Sequence, residues 1–472
     1  MTISAPVRED DREPGEPAVV RRRDDATRRV AKALRRPGTL VAALLVLFSS
    51  VIVALHIDAF TVVSPVDELQ HIDYLYRASD GGIVRLGDRV GESAMREQAC
   101  RGHAFPVLMP PCDAPDLRPE QFQEEGVNTA YIHPPAYYTI TGVTARVVRA
   151  ALGHQGLFTA GRYVGAAWLG AAVVLMWLLM REFRVPIAAR GVVLVIVITA
   201  PTVVLASATI GPDATALATG AAVLLATLLA ERGRVHWLVP AVMAAIAIAF
   251  KATNIAGVGV CVLYLVARLL QARLQARASA PGHDTSVTSK RLFAVVAAVV
   301  GGALVASIGW IGIQGAIARE DREVNPQVQL YGVDSFPRDE LRDDLLASVT
   351  PLKRSGYVSD ALNTSRLDDL MAWVNTALLA GCVVAIGFSK PRSRMRALAI
   401  AAFIAMLLVG PGIIIVNYFA SGIFVLIPAR YGLSVVPALA CVCTVPLQRR
   451  PILIAGAGLA GWISVVTLFT LT

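Results

Sequence analysis

Apolar runs of about 18 to 25 residues recur along most of the chain, each long enough to cross roughly 30 Å of hydrocarbon as a helix. No other feature constrains the fold so strongly. Backbone inside hydrocarbon must satisfy its own N–H and C=O groups, which leaves helices and closed barrels as the spanning structures. The runs here are apolar on every face, whereas barrel strands alternate in period two and soluble elements keep one polar face. A hydrophobic fraction of 55% agrees. The expected fold class is therefore all-α integral membrane.

Apolar stretches between charged punctuation predict about eleven transmembrane helices. They lie near 39–57, 161–180, 187–207, 212–230, 236–250, 253–270, 292–316, 368–388, 396–416, 432–447 and 452–471. Alternate connectors are basic: Arg181, Arg184 and Arg190; Arg232 and Arg234; Arg268, Arg273, Arg277, Lys290 and Arg291; Lys390, Arg392, Arg394 and Arg396; Arg449 and Arg450. The bias places the N-terminus in the cytoplasm of a multi-pass plasma-membrane protein and the C-terminus outside. The net charge of +9 thus reflects topology, and no nucleic-acid partner is expected.

Residues 1–38 are polar and Pro-rich, and read as a disordered basic cytosolic tail with a helix near Ala26 to Arg36. No cleavable signal is evident, because the first apolar run starts too far in and is too long. The remainder, 39–472, is a polytopic membrane domain with two long outward loops, 58–158 and 317–366. The first is too long for a connector, so a packed subdomain with membrane-surface helices is expected there. Of the six cysteines, Cys261, Cys382, Cys441 and Cys443 sit in apolar segments and read as small hydrophobes. Cys100 and Cys112 share the first loop, where a disulfide and two free thiols are both open readings.

The polar stretch "SPVDELQHIDY", Ser64 to Tyr74, follows directly on the first apolar run. Ser64, Pro65 and Asp67 read as a capping box, yet that leaves Glu68, His71 and Asp73 unexplained. On a helix starting there, Asp67, His71 and Tyr74 share a face, bordered by Glu68. A carboxylate beside an imidazole at a membrane surface suits general-base work on a hydroxyl. Further on, Pro134 and Pro135 open a helix that carries Tyr137 and Tyr138, read with Tyr131 as interfacial anchors at headgroup depth. His133 precedes that helix start, where an anion would bind.

Three later outward turns carry ionisable residues. Asp213 in "GPDATAL" is either a helix cap or a site residue. Lys251 and Arg430 lie at outer mouths against the positive-inside rule, and either snorkel to lipid phosphate or serve function. Collected on one side, two cations that can hold a lipid-linked phosphate face a carboxylate that can deprotonate an acceptor. That combination suits sugar transfer from a polyprenyl-phosphate-linked donor. No metal motif has recognisable spacing and no cofactor is evident, which leaves a divalent ion open but unsupported.

At these residues the chain resembles the multi-spanning GT-C class of glycosyltransferases, and more closely a family of bacterial membrane proteins known as DUF2142. The likeness runs through "PVDELQHIDYLYRASDGG", "HPPAYY", "GPDATAL", the lone Lys251 and "IPARYGLSVVP", in order over most of residues 40–450. Here Ala429 and Gly211 depart from a usual Gly and a usual Asn or Ser. The resemblance implies Asp67 as base with Glu68 and His71 assisting, and Lys251, Arg430 and Tyr431 at the donor phosphate. "TAGRYVGAAW" resembles the segment after the loop helix in related sugar transferases, which implies a role for Arg162; His133 and Asp213 complete the candidates. The expected partners are a polyprenyl-phosphate sugar, a glycan or lipid acceptor of the cell envelope, and membrane lipids, with the site extracytoplasmic. A flippase would carry its charges at midplane in broken helices, and a non-catalytic assembly partner would have lost the Asp67-Glu68 motif.

Overall fold

The computed structural model describes residues 37–105, 108–153, 156–278, 286–319, 331–339, 341, 351–352, 365–425 and 427–471. Residues 1–36 of the expected N-terminal tail and most of the second outward loop lie outside the described residues, while Pro37 and Gly38 already belong to the first helix. The helices in chain order are α1 (Pro37–Ala59), α2 (Glu68–Ser79), α3 (Glu92–Arg101), α4 (Ala136–Leu152), α5 (Leu157–Glu182), α6 (Ile187–Ile198), α7 (Pro201–Ala208) and α8 (Ala216–Glu231). They continue as α9 (Leu238–Phe250), α10 (Ile255–Ala278), α11 (Ser286–Ile317), α12 (Ser365–Phe388), α13 (Arg394–Ser421), α14 (Val436–Cys443) and α15 (Arg450–Leu471). Short 3-10 turns precede α8, α10 and α14. Among the described residues only isolated β-bridges occur and no strand forms.

Among the described residues, nine stretches are long and apolar enough to cross a membrane, or ten if the bent pair α6 and α7 is one span. The chain is an all-α, multi-pass membrane protein. Two of the expected spans differ from a full straight crossing. The segment near 187–207 bends by 64° between α6 and α7, because Pro201 has no N–H to continue the ladder and Ala200 is extended. The segment near 236–250 forms only the 13-residue α9, which ends where Lys251 turns extended.

Burial separates central from peripheral spans. The apolar window of Pro212–Glu231 is 83% buried and that of Ala429–Gln448 is 78% buried, against 17% for Arg450–Leu471. The two central spans therefore pack against protein all round, while α15 leaves most of its surface for lipid. Their contact depends on small residues. A Cβ on Gly220 of α8 would lie 2.1 Å from the Ser434 carbonyl oxygen, so only glycine admits this approach. Ser434 Oγ also accepts from the Gly257 amide of α10 at 3.0 Å. These contacts seat residues 429–435 between α8 and α10, and thereby bring Arg430 over the starts of both.

The first loop has a core of its own. Leu69, Ile72, Tyr74 and Leu75 of α2 pack with Tyr137 and Tyr138 of α4, Phe158 of α5 and Ile210. Helix α4 buries Tyr137, Tyr138 and Ala145 while exposing Ile140, Val143 and Val147. The subdomain is thus fused to the ends of the spans that carry Asp213 and Lys251. Cys100 and Cys112 are joined by a disulfide that ties the end of α3 to the following loop.

A buried charge network at the mouths of the central spans

Helix α2 starts three residues later than a Ser64-to-Asp67 capping box requires. Asp67 takes a left-handed conformation, φ 54° and ψ 14°, and its side chain caps nothing. Its neighbour Glu68 supplies the reciprocal bond instead: the Ser64 amide donates to Glu68 Oε2 at 2.7 Å. The capping box expected from Ser64 and Asp67 therefore does not form, and the Ser64 amide is tied to Glu68 ahead of the helix. A non-glycine residue held at positive φ marks a position where the surroundings impose the conformation, here to aim a carboxylate away from its own helix.

Glu68 is fully buried and its oxygens are saturated. Arg162 of α5 donates from Nε at 2.8 Å and from Nη2 at 2.5 Å, and the Ile210 amide donates at 2.8 Å. Arg162 Nη1 and Nη2 also donate to the Phe60 and Val62 carbonyls, each at 2.7 Å. This pair fastens α2, α5 and the turn before α8 to one another. Glu68 has no lone pair left for a substrate, and four of the five Arg162 N–H groups are taken, so both residues hold the site's frame. Asp73 is likewise a framework group, accepting from the Gly91 amide at 2.9 Å and from Asn128 at 2.7 Å.

Asp67 instead joins a chain of charges. Its Oδ2 accepts from Arg430 Nη2 at 2.7 Å, and Arg430 Nε lies 3.1 Å from Asp213 Oδ2. The other oxygen of Asp213 accepts from Lys251. Tyr431 forms the floor, its ring centroid 4.5 Å from the Lys251 ammonium and 5.5 Å from the Arg430 guanidinium. Lys251 is 2% exposed, which rules out snorkelling for this lysine, and Asp213 is buried beside it. Two carboxylates balance two cations, so the network is formally neutral. Asp213 stands at its centre, joining both cations.

Two imidazoles line the same network. His71 Nδ1 shares a 2.8 Å hydrogen bond with the Tyr138 hydroxyl, and its ring lies 5.7 Å from that of His133. Tyr138 stacks on Tyr74 at 4.0 Å, and the Tyr137 hydroxyl accepts from the Gly211 amide at 3.1 Å. Tyr137 and Tyr138 are fully buried, which overturns their reading as headgroup anchors. Gly211 fits this arrangement, since a Cβ there would meet His71 Cδ2 at 3.3 Å. Burial drives the His71 pKa down to about 4, with Asp67 opposing and Lys251 adding to the shift. His133 is held well below the ordinary histidine range by burial and by the charges of Lys251 and Arg430. Its Nδ1 is buried and has no hydrogen-bond partner.

Sequence reasoning passed over Glu124. Its loop lies against residues 65–67, with Gln123 Nε2 donating to the Pro65 carbonyl at 3.4 Å, and Glu124 itself sits at φ 52°. Burial first, and the charge of Asp67 second, raise its pKa to about 7. Nothing in the pattern of acids around Glu120, Glu124 and Glu125 distinguishes the middle one. Among the described residues no group of three or more His, Cys, Asp or Glu is placed to hold a metal ion. Compared with known proteins, the chain matches no family model, no curated protein and no solved structure.

Proposed function

We propose that this protein is a GT-C-type membrane glycosyltransferase that moves a sugar from a polyprenyl-phosphate donor to an envelope glycan or lipid acceptor. The observation that carries this reading is the Asp67–Arg430–Asp213–Lys251 chain, assembled at the mouths of the two most buried spans. A donor phosphate has the charge and geometry to replace carboxylates as the partner of Arg430 and Lys251. Arg430 then releases Asp67, which becomes an uncompensated carboxylate beside the acceptor. The hydroxyl gives its proton to Asp67, its oxygen bonds to the anomeric carbon, and the bond to phosphate breaks with its electron pair staying on the phosphate. Tyr431 carries the phosphate-binding cations on its ring face. On this reading the basic connectors lie in the cytoplasm, and the site faces the extracytoplasmic side of the plasma membrane.

The exposed apolar stripe of α4, Ile140, Val143 and Val147, suits a helix lying on the membrane at the level of the donor's head. The bend between α6 and α7 favours a transporter, since broken helices mark many carriers. The residues at that break are Thr199, Ala200 and Pro201, with no ionisable group among them. The charges lie at the span mouths instead, which favours transfer.

Asp67→Asn removes the base while keeping shape. The variant is expected to insert and fold as the parent does, yet to lose transfer from radiolabelled polyprenyl-phosphate sugars. Turnover retained in that variant would sink the assignment of Asp67.

A further inference from the structure

The two imidazoles have no role in the sugar-transfer chemistry above, although both lie against its charges. His133 is 6% exposed, its Nδ1 has no hydrogen-bond partner, and its ring faces His71 at 5.7 Å. A buried nitrogen left unpaired costs free energy unless some ligand completes it. The groups around it define which ligand that is. Lys251, Arg430 and His71 act on His133, and Asp67 and Asp213 also act on His71, whose Nδ1 is already held by Tyr138. Among these, the two carboxylates and two cations cancel. An incoming phosphate diester therefore leaves one uncompensated negative charge in a buried site.

Resting on the donor-site reading above, we propose that His133 takes up one proton together with the donor phosphate and serves as its third cation. The neutral state of His133 in the unliganded network follows from its burial beside Lys251 and Arg430. The anion reverses that balance, since it offers an acceptor for Nδ1–H and a charge to offset the imidazolium. The consequence for the reaction is specific. When the bond between the anomeric carbon and phosphate oxygen breaks, the phosphate goes from one negative charge to two. Lys251, Arg430 and protonated His133 then hold it, while the acceptor's proton stays on Asp67. No atom or electron is left unassigned. His133 thus supplies positive charge where negative charge develops, and only while the phosphate is bound.

The test uses geranyl methyl phosphate, a diester that stays singly charged between pH 5 and 9, so any proton taken up goes to the protein. Binding to the full-length detergent-solubilised protein is followed by calorimetry in buffers of different ionisation enthalpy. The expected result is uptake approaching one proton per phosphate near pH 6, with affinity falling about tenfold per pH unit where uptake is complete. His133→Asn keeps a hydrogen-bond donor near the position of Nδ1 and cannot titrate. It is expected to bind with an affinity independent of pH and to take up no proton. Binding by the parent protein without proton uptake, which needs no variant, overturns the role of His133 and leaves the donor site standing. Uptake that persists in His133→Asn also overturns it and points to His71, Glu124, Asp67 or Asp213. No binding at all overturns the donor site itself, and with it this inference.

Discussion

At the scale of single residues, adjacent acids in one motif have separated roles. Asp67 and Glu68 are neighbours in sequence, yet one is half-exposed at a left-handed turn and the other is sealed against Arg162. The deciding factor is capacity. Glu68 accepts from four donors and can take no more, while Asp67 has a single strong partner that a competing anion can remove. Glu68→Gln is therefore expected to damage the fold more than the chemistry, because it leaves a buried guanidinium without its counter-charge. A loss of roughly 3–5 kcal/mol is expected for breaking such a pair. Thermal unfolding of the detergent-solubilised variant measures it, and a melting temperature equal to the parent's would show that Arg162 does not depend on Glu68. The motif was visible from the sequence as a cluster, with Asp67 singled out. Its division of labour was not visible, because Arg162 pairs with Glu68 across 94 residues and Arg430 reaches Asp67 across 363.

At the scale of elements, the positions of Arg430 and Lys251 depend on how α8, α10 and the turn before α14 pack. Gly220 and Gly257 bring the backbone of Ser434 against both helices, and Arg430 lies four residues before that contact. Gly220→Ala would place a methyl group 2.1 Å from the Ser434 carbonyl oxygen, and backbone cannot yield as a side-chain end can. Overpacking of this kind costs about 1–3 kcal/mol and moves the crowded segment. The expected outcome is a folded but less stable protein that binds geranyl methyl phosphate several-fold more weakly. Full affinity in that variant would mean that Arg430 is placed by its ion pairs alone. Helix periodicity also predicted that Tyr137 and Tyr138 would face a membrane interface. They face α2 and the turn before α8 instead, since their hydroxyls find buried partners in His71 and Gly211.

At the scale of the whole molecule, charge is sorted between the two ends of the bundle. The far end carries Glu231 with Arg268 and Arg394, and Glu182 with Arg232 and Arg234. The same helix α8 thus starts beside Asp213 and ends at Glu231, each held by two cations. With the arginine-rich connectors inside, cysteines replacing Arg234 and Glu120 should label from opposite faces of the membrane with an impermeant maleimide. Labelling of the Arg234 position in intact cells would reverse the orientation and remove the extracytoplasmic site. The test is made in a background where the native cysteines are accounted for, because Cys443 is only partly buried.

The sequence alone determined that the chain crosses a membrane many times as helices, and which few ionisable residues stand at the span mouths. Both are local properties: an apolar run of sufficient length has no alternative in hydrocarbon, and a charge interrupting such runs is conspicuous by itself. Only the tertiary structure decided that Lys251 is buried against Asp213, that Glu68 belongs to Arg162, that the span near 187–207 bends, and that Glu124 sits beside Asp67. An ion pair between distant residues depends on helix packing rather than on spacing along the chain. That packing is set by close glycine contacts and a fused loop core, whose partners lie far apart in sequence.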